Sequence, residues 1–188
     1  MPLSLHPYHP LDRPQLLPLM THSIFRLGPC CYRPDQVAVW AQASAKHLRA
    51  EPDPLLQGQT WVATLQLDPD QFVHDPWDGD QAGFVNKPLN KVKILGFAQL
   101  QPIDRVSLLY VAADATRQGV GQALYGQLET IARTQQVRHL RTEASHVARP
   151  FFVQQGFQVQ GQEWVTLEGV AIDRWVMTKP LEPLVLRV

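Results

Sequence analysis

Cysteine is nearly absent from this chain of 188 residues: only Cys30 and Cys31 occur, side by side. Neighbours in sequence rarely bridge each other because the ring they close is strained, so no disulfide framework is expected and a reduced, cytoplasmic setting is. Metal-ligand spacing is missing as well. The histidines His6, His9, His22, His47, His74, His139 and His146 form no His-Glu-x-x-His run, no cysteine pair stands at zinc spacing, and no metal is expected. Neither sign of charge is in excess, with 17 Lys plus Arg against 17 Asp plus Glu. Without a net field to gather a polyanion, nucleic acid and acidic membrane surfaces are not expected partners. No run approaches the roughly 20 apolar residues that span a bilayer. Met1 to Pro7 has no basic run ahead of an apolar stretch, so neither insertion nor secretion is expected. Repeats and low-complexity tracts are absent too.

What is present is a chain 45% apolar, enough for one sizeable core, and a single domain over residues 1–188 is expected. Leu3 to Tyr8 alternates as a first strand. Leu16, Leu17, Met20, Ile24 and Leu27 fall at helical spacing over Arg13 to Leu27, with Asp12 as the expected N-cap. Pro34 opens a second helix over Asp35 to Ala43, with Val37, Trp40 and Ala41 on one face. Thr60 to Leu67 and Val92 to Leu100 read as strands, and residues 68–91 between them, rich in Asp, Pro, Gly and Asn, read as a loop insertion, either disordered or a lid. Val106 to Val111 is almost wholly apolar, which suits a central strand covered on both faces. A helix over Gly119 to Gln135, a strand over Val137 to Thr142 and a short helix over Val147 to Gln155 follow. Gly156 stands at the helix C-cap, and strands Phe157 to Leu167 and Val170 to Met177 turn at Glu168 and Gly169. The order points to a mixed α/β layered fold.

One junction carries chemistry. A helix N-terminus leaves backbone N–H groups unpaired and bears about half a positive charge, a natural place for phosphate. In Arg117-Gln118-Gly119-Val120-Gly121-Gln122 the two glycines remove side chains that would hold a pyrophosphate away from the backbone, and Arg117 adds charge. No Lys-Ser or Lys-Thr follows, so a P-loop is excluded, and the spacing is not the three-glycine dinucleotide fingerprint. On this motif alone, a phosphate cradle and a plain tight turn are both open.

The run Leu109 to Leu124, with Thr116-Arg117-Gln118-Gly119-Val120-Gly121 followed by Ala123-Leu124, resembles the acetyl-CoA motif of the GCN5-related N-acetyltransferases. That motif reads Arg or Gln, any two, Gly, any one, Gly or Ala, commonly followed by Ala-Leu. Thr116 departs from its first position. A register over Gln118 to Ala123 also meets the bare pattern but displaces the Ala-Leu pair. Downstream, Glu143-Ala144-Ser145, Ala148-Arg149-Pro150-Phe151-Phe152 and Gly156-Phe157 resemble the family's fifth strand and fourth helix, in a form close to a bacterial subgroup often called YafP-like. There Ser145 replaces the usual Asn, Phe152 the usual Tyr, and Ser107 an Asp frequent on strand 4. The resemblance covers nearly the whole chain apart from residues 68–91.

The resemblance implies an α/β GNAT fold: a mixed, mostly antiparallel sheet of about seven strands, splayed between strands 4 and 5 and flanked by about four helices. It implies acetyl-CoA as co-substrate and an amine acceptor, expected to be a small-molecule primary amine, with the chain a monomer or homodimer. An acyl-CoA-binding module without turnover and a protein N-acetyltransferase are the alternatives. By position, Leu109, Tyr110, Val111, Ala112 and Ala113 would pair with pantetheine. Thr116, Arg117, Gln118, Gly119, Val120, Gly121, Gln122 and Ala123 would surround the pyrophosphate, and Ser145, Arg149 and Phe152 would line the thioester end. Attack needs a neutral amine, whereas a free one of pKa about 10 is mostly protonated at neutral pH. Glu143 and, as its rival, His146 are the candidate bases. Trp40, Trp61 and Trp175 are the candidate acceptor walls.

Overall fold

The computed structural model describes residues 3–66 and 92–182; the expected insertion at 68–91 lies outside the described residues. Strand β1 (Leu3–Pro7) leads into helices α1 (Arg13–Leu27) and α2 (Pro34–Leu48). Asp12 stands at the N-cap position of α1, but its side chain makes no cap bond there. It is itself helical (φ −78°, ψ −28°), and its Oδ2 accepts the His9 N–H at 2.9 Å, closing a 3-10 turn that precedes the helix. Helix α2 runs on to Leu48 rather than Ala43, because Ala45 and Leu48 extend the buried stripe of Val37 and Ala41.

Strands β2 (Gln59–Gln66), β3 (Val92–Leu100) and β4 (Val106–Val111) join β1 in an antiparallel sheet of order β1-β2-β3-β4. Helix α3 (Val120–Thr134), strand β5 (His139–Ala144), the short helix α4 (Arg149–Gln154), and strands β6 (Gln158–Leu167) and β7 (Val170–Pro180) complete the described chain. β5 begins two positions later than the apolar pattern suggests, since the Val137 N–H is still spent on the Ala132 carbonyl at 2.9 Å. β6 and β7 turn through Glu168 (φ 46°) and Gly169 (φ 82°), the paired left-handed residues of a two-residue hairpin.

Seven strands are thus present among the described residues, divided into the four-stranded sheet and a three-stranded one of order β5-β7-β6. Between β4 and β5 only the parallel bridge Arg105–Arg141 forms, supported by Arg141 N–H to Asp104 C=O at 2.9 Å and the Thr142 hydroxyl to Val106 C=O at 2.9 Å. Beyond it the strands part. β4 is therefore an edge strand on an opening, not the central strand its composition suggests; its two faces are covered, Leu109 and Val111 packing on the α3 side and Leu108 and Tyr110 on the α1 and α2 side, while Ser107 to Val111 stay only half-buried. An apolar run can line a cleft as well as a core.

Helices cover both faces. α1 and α2 bury Leu16, Met20, Ile24 and Val37 against Val62 and Phe97, while α3 buries Leu124, Leu128 and Ala132 against Ala63, Ala98 and Leu140. A half-buried charge cluster ties α3 to β7: Lys179 Nζ reaches Glu129 Oε2 at 2.6 Å, Arg133 Nη2 reaches Oε1 at 2.5 Å, and Lys179 also donates to the Tyr125 hydroxyl at 3.1 Å. Burial acts to raise the Glu129 pKa, but hydrogen bonds from Lys179, Tyr125 and Arg133 outweigh it and the net shift is downward. A carboxylate depressed in the folded state stabilises above its unfolded pKa of about 4.3 and loses that contribution as pH falls through the folded value. Glu129→Gln should therefore cost about 2 kcal/mol at pH 7, a fall of about 4–8 °C in Tm. Thermal melts of both proteins should converge as the pH drops below about 4.

Candidate active site

The parting of β4 from β5 opens a cleft of about 1400 Å³. Its floor is the outer edge of β4. The Ala112 N–H bonds the Leu95 carbonyl of β3 at 2.8 Å, so by the two-residue period of a strand Tyr110 faces β3 and Leu109 and Val111 face the opening. The Ser23 hydroxyl of α1 donates to the Val111 carbonyl at 2.5 Å, which agrees with that alternation and leaves the polar groups of Leu109 turned to the cleft. At the other end of β4, Gln99 pairs with Leu108 and Leu100 with Val106, so Ser107 is an extra, bulged residue. Its hydroxyl donates to Gln99 Oε1 at 3.0 Å.

One end of the cleft is the turn into α3. Arg117 (φ 60°) and Gly119 (φ 83°) both adopt left-handed backbone, the alternation that gathers successive N–H groups into an anion-binding concavity. Gly119 is the N-cap, and its carbonyl takes the first helical bond from Ala123 N–H at 2.9 Å. The N–H groups of Val120, Gly121 and Gln122 are left without intrahelical partners. Thr116 hydrogen-bonds the Ala113 carbonyl at 3.0 Å, so its hydroxyl braces the turn rather than reaching outward. Thr116, Arg117, Gly119, Gly121 and Gln122 line the cleft. Val120 is buried in the core, the Gln118 amide is held on the Asp114 carbonyl at 2.8 Å, and the N–H groups of Ala112 and Ala123 are already bonded. Ala113, in the 3-10 turn after β4, does not line the cleft.

The facing wall comes from β5 and α4. Ser145 lines the cleft, its Oγ accepting the Ala148 N–H at 3.1 Å. Phe152 also reaches the cleft but is 3% exposed, packed edge to face with Tyr125, Phe151 and Phe157. Arg149 is not part of the lining; its guanidinium lies 4.2 Å over the Trp175 ring.

Glu143 faces the cleft, and its Oε2 takes both Arg105 contacts, Nε at 2.7 Å and Nη2 at 2.5 Å. Oε1 has no hydrogen-bond partner among the described residues. His146 is placed differently. The Trp175 ring N–H donates to its Nδ1 at 3.1 Å, its Nε2 meets Asp173 Oδ2 at 2.5 Å, and its backbone N–H donates to the Tyr32 hydroxyl at 3.0 Å. With both ring nitrogens engaged and the ring outside the lining, His146 fastens α4 to β7 and has no free lone pair for a substrate. Burial acts to raise the Asp173 pKa, but the His146 hydrogen bond and charge outweigh it and hold Asp173 below the ordinary carboxylate range. Burial pushes the Tyr32 hydroxyl up to about 12, so it keeps the proton it donates to the Asp173 carbonyl at 3.0 Å.

The remaining walls come from α1, α2, β6 and β7, with Met20, Ile24, Tyr32, Trp40, Val165, Leu167 and Ile172. Of the three tryptophans, Trp40 alone belongs to the lining, whereas Trp61 packs on the core beside α3 and Trp175 holds His146. Burial raises the Tyr110 pKa against hydrogen bonds from Ser44 and Trp40, and its ring stacks on Phe97 with centroids 5.6 Å apart. Sequence reasoning missed Arg105 and Ser23. Arg105 precedes its strand in a turn and obeys no pattern, but Ser23 interrupts the apolar stripe of α1, a signal that a buried acceptor waits opposite.

A family model described as an acetyltransferase (GNAT) domain matches residues 66–172. Among curated proteins, the N-acetyltransferase YafP of Escherichia coli strain K12, itself described as uncharacterised, is 24% identical over 175 residues, 93% of this chain and 94% of that one. Among solved structures, a GCN5-related N-acetyltransferase from Rhodopseudomonas palustris superposes with a TM-score of 0.75 at 26% identity, covering 96% of this chain and 97% of its own. PaiA N-acetyltransferase from Thermoplasma acidophilum, in complex with coenzyme A, superposes with a TM-score of 0.64 at 14% identity, covering 96% and 100%, a likeness of fold.

Proposed function

This chain belongs to the GCN5-related N-acetyltransferase family, and from that premise we propose that it moves the acetyl group of acetyl-CoA directly onto a small-molecule primary amine. The observation that carries this reading is the continuity of the cleft. The α3 turn at one end and the apolar walls of α1, α2, β6 and β7 at the other share the outer edge of β4. A site for one drug-sized ligand occupies about 300–1,000 Å³. A cleft of about 1400 Å³ has room for donor and acceptor together, as transfer without a covalent enzyme intermediate requires.

In this reading the pyrophosphate rests on the N–H groups of Val120, Gly121 and Gln122 with Arg117 beside it, and pantetheine runs along Leu109 and Val111. The Leu109 N–H donates to the thioester oxygen as it gains charge, where a preorganised donor contributes most. The amine nitrogen attacks the thioester carbon, the C–N bond forms, and the C–S bond breaks. Oε1 of Glu143 takes the surplus ammonium proton through water and returns it to the thiolate. No side chain need protonate the sulfur in advance, because a thiol of pKa about 8.5 is a tolerable leaving group; Phe152, which has no proton to give, is compatible with that.

Thiol release from acetyl-CoA, followed with amino acids, polyamines, aminoglycosides, arylamines and peptides, tests the proposal. Amine-dependent release with an equal amount of N-acetylated product is the expected result. Acetyl-CoA binding without release across the panel would instead mark an acyl-CoA-binding module.

A further inference from the structure

Resting on the transferase reading above, we propose that the acceptor is a primary amine carried by a compact apolar body, aryl or branched alkyl, and that polyamines and aminoglycosides are rejected. Two properties of the cleft lead there. The first is charge. Glu143 is the only carboxylate among the described residues that line the cleft, and Arg105 already occupies its Oε2. The lining cations Arg105, Arg117 and Arg174 outnumber it, and Arg174 draws its own partner, Glu163 at 2.6 Å, from outside the lining. A second ammonium on the acceptor would find no counter-charge, and an unpaired buried charge is strongly unfavourable.

The second property is polarity. The acceptor end presents Met20, Ile24, Trp40, Val165 and Ile172. Two of the polar side chains in the lining, Gln99 and Ser107, are already engaged within the protein. Gln99 Nε2 donates to the Pro54 carbonyl at 2.8 Å, and Gln99 Oε1 accepts from Ser107 at 3.0 Å. A sugar-bearing amine, whose hydroxyls each need a partner once desolvated, is poorly served by such walls. The same walls assist the chemistry, since apolar surroundings disfavour the ammonium form and so hold the acceptor as the neutral nucleophile.

The test is a comparison of kcat/KM at saturating acetyl-CoA for phenethylamine and cyclohexylmethylamine against cadaverine, spermidine and kanamycin. Thiol and N-acetylated product are both measured. The apolar monoamines should exceed the polycations by at least about 100-fold, as two or more tenfold steps in discrimination imply. Val165→Glu, which sets a carboxylate in the apolar end, should lower the phenethylamine-to-cadaverine ratio at least about tenfold by giving the second ammonium a partner. Leu167→Glu, at the half-buried end of β6, serves the same purpose should the first variant fail to fold. Cadaverine, spermidine or kanamycin used as well as the apolar amines would overturn the inference while leaving the transferase reading in place. Release with no amine, acetyl-CoA still binding, would overturn both.

Discussion

Gly121→Glu should abolish acetyl-CoA binding, raising Kd by at least about 100-fold in calorimetry, a loss near 2.7 kcal/mol. The helix N-terminus offers unpaired N–H groups and a positive dipole end, both of which favour phosphate. A carboxylate about 4 Å from a phosphate oxygen repels it by about 4 kcal/mol at the effective dielectric of a partly buried site, more than the loss requires. Gly121→Ala is the control. A Cβ there would meet Phe151 Cε2 at 3.5 Å and Val111 Cγ2 at 3.6 Å, ordinary contacts, so the methyl fits whereas a longer side chain has to run into the cleft. Alanine should leave Tm undiminished, because a helix position loses less backbone entropy with Ala than with Gly. Unchanged acetyl-CoA affinity in Gly121→Glu would remove the phosphate from this turn.

Glu143→Gln should lower kcat by about 100-fold, the low end of what a positioned base contributes. The acid limb of the pH profile should flatten and Kd for acetyl-CoA stay within about twofold, since the α3 turn is untouched. The isosteric amide still accepts from Arg105 through its carbonyl oxygen, so the geometry is preserved while the proton acceptor is lost. Glu143 also anchors Arg105 beside the one bridge between the two sheets among the described residues. Melting curves separate the roles: an ion pair that matters for structure alone would lower Tm and leave kcat and its pH profile unchanged.

Much of this was legible in the sequence, and the misses have physical reasons. The 15 residues of α1 begin and end where the spacing of Leu16, Met20, Ile24 and Leu27 places them, because one apolar stripe decides a surface helix. The family resemblance carried by Thr116 to Leu124 and by Glu143 to Phe157 agrees with the family match. What periodicity could not give was the use of each side chain. Asp12 occupies the N-cap position of α1 as expected, but its side chain serves the preceding turn. β4 has the composition of a core strand yet borders a cleft, since hydrophobicity records exclusion from water and not what does the excluding. His146 has the imidazole that a base requires, but Trp175 and Asp173, about 30 residues downstream, fill both its nitrogens. Arg105 and Glu143 are brought together by the strand bridge, a long-range contact with no local signature.

The central claim is that one cleft holds acetyl-CoA at the α3 turn and passes its acetyl group to an amine at the apolar end. The most direct test is a single assay on the wild-type protein and Gly121→Glu: acetyl-CoA with phenethylamine, thiol release followed continuously, and N-acetylated product quantified by mass spectrometry. Equal thiol and product from the wild type, with neither from a folded Gly121→Glu protein, is the predicted result. Product formed at the same rate by both proteins, or thiol released without any N-acetylated amine, would contradict it.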